Sequence, residues 1–149
     1  MSNRNKAIEI AVNQFEGCLK LAGFEDGILK PNSTKPLFFR GIVPKKSAKN
    51  KYLLIYTVTD NLTNTAADNE VLVHNVYIDY SVQTRTHLAD AKFNEYVENI
   101  EDELHKLEFK LDYGVESSNI EEDTEIVIHS KPVTADKFIL LEGSATWKL

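Results

Sequence analysis

Apolar residues recur along this chain with two different periods, and each change of period marks an element. Ile8, Ala11, Val12, Phe15, Cys18, Leu19 and Ala22 fall at helical spacing and form one stripe. The spacing predicts a first helix of about five turns, capped by Ser2 or Asn5 and closed by Gly23. Gly17 weakens the run slightly. Residues 24–36 carry Gly27, Pro31 and Pro36 and read as a loop. "LFFRGIV" (37–43) reads as a short strand stopped by Pro44, and "KYLLIYTVT" (51–59) as a stronger one. "DNLTNTAADNE" (60–70) is polar and reads as a long loop, the kind that often serves as an interaction surface.

Strict alternation follows. Leu72, His74, Val76, Ile78, Tyr80 and Val82 share the drier face of a strand, with Val71, Val73, Asn75, Tyr77 and Asp79 on the other. The period then returns to helical at Phe93, Val97, Ile100, Leu104 and Leu107, with Thr86 as the expected cap. Asp102 and Lys106 are spaced as an i,i+4 pair. "FKLDYGVES" (109–117), "TEIVIHS" (124–130, stopped by Pro132) and "KFILLEG" (137–143) read as three further strands, with an acidic turn "NIEED" before the second. The expected fold is α+β: a mainly antiparallel β-sheet with two amphipathic α-helices packed on one face. The expected core includes Phe15, Leu19, Val76, Ile78, Val97, Ile100 and Leu104.

The chain has 149 residues, which fits a single domain over 1–149. A chain of this size buries roughly 70% of its unfolded surface, so a core forms without metal or disulfides. No apolar run approaches the ~20 residues of a membrane span. The N-terminus "MSNRNKAIEI" has no apolar signal core, so the expected compartment is a cytoplasm. Net charge is −6 and the isoelectric point about 5.2, without the basic face of a duplex-binding protein. Only "KKSAKNK" (Lys45, Lys46, Lys49 and Lys51 among its residues) is locally basic, and it reads as a solvated hairpin loop.

Candidate chemistry is sparse. Cys18, the single cysteine, lies on the first apolar stripe and reads as a buried structural thiol. His74, His87, His105 and His129 show no HxxxH or HxxH spacing, so no metal site is expected. A calcium loop beginning at Asp60 would need Gly at its sixth position and Glu at its twelfth; Thr65 and Val71 stand there. Neither GxxxxGK[ST], GxGxxG nor GxSxG occurs. No cofactor is expected, and no catalytic set is identified.

The order of segments resembles the small tail terminator, or tail-to-head joining, proteins of tailed bacteriophages. The resemblance rests on the N-terminal helix, the strand "KYLLIYTVTD", and an acidic loop with Asp68 in "AADNEVLV". It continues through the strand "VYIDYSVQT", the helix "FNEYVENIEDELHKLEF", the strand "LDYGVES" and the acidic turn before "EIVIHS". It is strongest from Ala67 to Ser130; "PKKSAKN" and "FILLEGSATWKL" have no counterpart in it. It implies a structural virion protein rather than an enzyme. Such a protein would assemble in the host cytoplasm as a homo-oligomeric ring, commonly a hexamer. The ring would cap the head-proximal end of the tail tube, with the major tail tube protein and a head completion or connector protein as partners. DNA would pass through its lumen without sequence-specific binding, and an acidic lumen would let phosphate slide. Expected contact residues are Lys45, Lys46, Lys49, Lys51, Asp60, Asp68 and Glu70. Alternative readings are a head-completion or neck protein, a cytoplasmic module that binds protein through a sheet edge, and a small enzyme of unrecognised type.

Overall fold

A computed structural model describes residues 3–43, 50–65, 71–85, 90–120 and 127–142. Nine elements follow in order: α1 (Asn3–Leu21), β1 (Glu25–Asp26), β2 (Leu37–Arg40), β3 (Tyr52–Thr65), β4 (Val71–Thr84), α2 (Ala91–Lys106), β5 (Lys110–Tyr113), β6 (Ser117–Ile120) and β7 (Val127–Glu142). The seven strands form one mixed sheet in the order β1-β2-β3-β4-β7-β5, with β6 also paired to β7. The β1–β2 and β2–β3 pairings are parallel and all others antiparallel. The α+β class with a mainly antiparallel sheet is as the periodicity predicts.

The core grows from the two apolar stripes. On β4, Val76, Ile78, Tyr80 and Val82 are buried. Cross-strand register sets Leu54 opposite Val82, Tyr56 opposite Tyr80, and Ala135 opposite Ile78. Phe15 of α1 lays its ring edge-on to Tyr56, 5.0 Å between centroids, and against Tyr80 at 5.4 Å. Phe93, Val97, Ile100 and Leu104 of α2 are buried in the same cluster. All seven residues named above as the expected core are buried. A second, smaller cluster of Leu37, Phe39 and Leu53 lies on the other face of the sheet, since Leu53 alternates with Leu54.

Several assignments differ from the periodic reading. Glu25–Asp26 is a two-residue strand within the expected loop, tied down by Glu25 N–H to Pro36 O at 2.8 Å and Gly27 N–H to Phe38 O at 3.0 Å. β3 runs on to Thr65, six residues past Thr59, so Asp60 belongs to a strand and not to a loop. α2 is capped by Asp90, whose carboxylate accepts from the Phe93 amide at 2.7 Å; the expected cap Thr86 lies outside the described residues. Lys106 pairs with Glu103 at 2.9 Å rather than with Asp102.

Another difference is at Pro132, which does not end a strand. The two expected strands around it are one 16-residue strand, β7. Pro132 O accepts from the Gly114 amide at 2.9 Å, so the missing N–H of Pro132 would point to that same outer side. There it meets residues 114–116, the gap between β5 and β6, and no ladder bond is lost. A Cβ on Gly114 would stand 2.7 Å from Pro132 Cγ, so the close approach requires glycine. The expected strand 109–117 is accordingly split, β5 pairing with Val133–Asp136 and β6 with Val127–Ser130.

Candidate functional site

Of the seven expected contact residues, the structure describes Lys51 and Asp60. Lys45, Lys46, Lys49, Asp68 and Glu70 lie outside the described residues. By chain connection the first three precede β3 and the last two follow it.

Lys51 stands at the entrance to β3. Its Nζ lies 3.0 Å from Asp90 Oδ2, and the Tyr52 hydroxyl donates to the same carboxylate at 3.0–3.1 Å. Asp90 therefore does two jobs: it caps α2 and clips the start of β3 to the start of α2. Burial pulls its carboxyl upward, but the Phe93 amide, Lys51 and Tyr52 together outweigh that and hold it below the usual range. The hydrogen bond to Asp90 raises Lys51 in return.

Beside this clip is a cavity of about 540 Å³ bordered by Lys35, Asn50, Lys51, Tyr52, Lys92 and Tyr96. The rings of Tyr52 and Tyr96 meet edge-on at 5.1 Å. Lys51 lies over Tyr52 at 5.3 Å and Lys92 over Tyr96 at 5.1 Å. Each ammonium also has a carboxylate partner: Glu25 for Lys35 at 3.5 Å, Asp90 for Lys51, and Glu95 for Lys92 at 3.7 Å. The rim is thus a set of exposed ion pairs, each worth little by itself. It marks one end of the molecule chemically without making an anion trap.

Asp60 is a correction. The polar run starting there reads as an exposed loop, but the Asp60 side chain is fully buried on β3. Its Oδ2 lies 2.6 Å from His74 Nδ1, and Arg4 Nε of α1 approaches to 3.7 Å. Asp60 Oδ1 and His74 Nε2 are buried with no hydrogen-bond partner among the described residues. The Asp60 side chain is structural and is not available as a surface contact. The available signal was the alternation itself: Leu54, Tyr56, Val58 and Asp60 share one parity, and the first three are plainly core.

Sequence reasoning also missed a serine–histidine–carboxylate chain. Register places Ser118 opposite His129. Ser118 Oγ lies 2.8 Å from His129 Nδ1, and His129 Nε2 lies 3.0 Å from Glu116 Oε2. Acyl transfer would further need oxyanion donors and a cavity for the acyl group. The cavities of about 540, 390, 310 and 290 Å³ are bordered by other residues. These contacts fasten β6 to β7, with Phe93 packed edge-on to the imidazole at 5.4 Å. Cys18 is buried as expected; burial and the Glu103 carboxylate push its thiol up to about 11, against the opposing pull of Lys137. Among the described residues, no three His, Cys, Asp or Glu side chains gather as a metal site.

No protein-family model matches this chain, and no curated protein matches it significantly.

Proposed function

We propose that the chain is a structural subunit of a tailed-phage particle. It assembles with copies of itself into a ring that caps the head-proximal end of the tail tube and receives the head connector. The observation that supports this most is the chemical difference between the two ends of β3. The lysine-rich sequence "PKKSAKN" leads into the strand through Lys51, beside the ion-paired Lys35 and Lys92. "AADNE", with Asp68 and Glu70, follows Thr65. Fourteen residues of strand separate the two by roughly 45 Å. Copies standing side by side in the same orientation bring like ends to the same level. A ring of them would carry lysine-rich sequence towards one rim and acidic sequence towards the other, which suits a part that must bind one surface and present another. The partners are the major tail tube protein on one rim and the head connector on the other, with DNA passing through the lumen.

Electron microscopy of purified tail tubes mixed with this protein tests the reading. Rings seated on one tube end, and lost on charge reversal of Lys51 together with Lys45, Lys46 and Lys49 or of Asp68 with Glu70, are expected. Tubes that ignore the protein would reject it.

A further inference from the structure

Besides the short strands β1, β5 and β6, two longer stretches of the sheet have a partner on one side only among the described residues. β2 ends its pairing at Tyr56, which leaves the outer edge of β3 open from Thr57 to Thr65. On the far side, β5 reaches Asp136 and β6 only Ser130, which leaves the outer edge of β7 open from Lys137 to Glu142. Open edges carry unpaired backbone groups and template further strands.

Which residues face outward follows from two hydrogen bonds. Pro132 O accepts from Gly114 on the outer side of β7. Alternation then aims the N–H and C=O of Phe138 and Leu140 outward as well. These two side chains are also 63% and 62% exposed. The same pair of residues therefore offers both unpaired backbone and uncovered apolar surface. On β3, Tyr56 O accepts from Gly41 on the outer side, so Val58 and Asp60 aim their backbone groups outward. An inward charge normally guards an edge. Here the Asp60 side chain is already occupied by His74 inside its own core. The bulge between Leu62 and Asn64 limits the usable edge to the residues before it.

β3 and β7 are both antiparallel to β4, so they run parallel to one another. We propose that the Lys137–Glu142 edge of one copy pairs in parallel with the edge of a second copy that begins at Thr57, so that the sheet continues from copy to copy. The two edges flank β4 within one chain and cannot meet each other there. Each contact therefore leaves one edge free on each partner, and the series ends only by closing into a ring. This rests on the homo-oligomer reading above and names the surfaces that make the contact.

The test is sedimentation of the full chain over rising concentration, with tail tubes as nuclei where needed. Leu140→Pro removes an outward N–H and leaves the β4 ladder intact, as Pro132 already does. Phe138→Lys leaves the backbone alone and keeps a solvated side chain in the free monomer, which covers the case that the proline variant misfolds. Both should weaken association roughly tenfold or more, with an unchanged circular dichroism spectrum for the lysine variant. Wild-type rings that persist undiminished in Phe138→Lys would overturn the edge pairing and leave the ring reading standing. A wild type that forms only a twofold dimer would also overturn it, because β7 against β7 is antiparallel. A wild type that stays monomeric with and without tubes would overturn the ring reading itself.

Discussion

His74 Nδ1 stands 2.6 Å from Asp60 Oδ2 with both side chains buried, and this contact joins β3 to β4 where the polar run of the sequence begins. A buried carboxylate needs a partner, and Arg4 at 3.7 Å is largely exposed. Removing either member strands the other in the core. Asp60→Ala and His74→Ala should each cost about 3–5 kcal/mol in urea unfolding. The paired replacement Asp60→Leu with His74→Val should recover most of that loss, since neither buried polar group remains. Additive losses in the double variant would show that the two side chains do not depend on each other.

The contact also shows what the amino-acid pattern could and could not convey. Both helices, the alternation of β4 and the seven core residues were legible, because each buries one periodic face. The length of β3 was not. "DNLTNT" has turn composition, and what keeps it extended is a partner fourteen residues away. β7 was hidden in the same way. A proline inside a strand argues for a stop unless the neighbouring strand is broken opposite it, and only the β5–β6 gap shows that. The clip through Asp90 was accessible in principle: an Asp three residues before Phe93 is an ordinary cap signal. The Ser118–His129–Glu116 chain depends on register and was out of reach.

Stability should decline on the alkaline side through three buried groups. Burial raises the Cys18 thiol from its ordinary value of 9.0 to about 11. Burial and the bonded Glu16 carboxylate raise the Tyr56 phenol, and burial chiefly raises Tyr80. Each group holds its proton more tightly folded than unfolded, so the folded state binds more protons above the unfolded value. The contribution is complete below pH 9 and is lost as pH rises towards 11 for the thiol, and from pH 10 upward for the phenols. Urea midpoints across this range should fall, and Cys18→Ala should flatten only the first part. A midpoint that rises with pH there would contradict the assigned burial.

Ser118 should be chemically quiet. Its hydroxyl meets His129 on an exposed strand surface, away from the larger cavities. A fluorophosphonate probe should leave the protein unlabelled at neutral pH. Stoichiometric labelling that disappears in Ser118→Ala would restore an acyl-transfer enzyme as the better reading.

The proposed function puts the chain in a tailed phage, and its decisive experiment is deletion of the chain from that phage. A tube grows because each added ring offers the next the same end surface. Growth stops when a subunit binds that end and turns a different surface outward. A ring whose two faces differ would do this by shape and charge alone. The same outward rim must also meet the head connector, so termination and joining depend on one part and should fail together. The expected phenotype is DNA-filled heads beside separate tail tubes, many of them overgrown. A head-completion protein would leave tails of normal length and heads that leak DNA or fail to join. Micrographs of the mutant lysate separate the two. Normal-length unjoined tails would transfer the chain to the head-completion role, and normally joined virions would reject both.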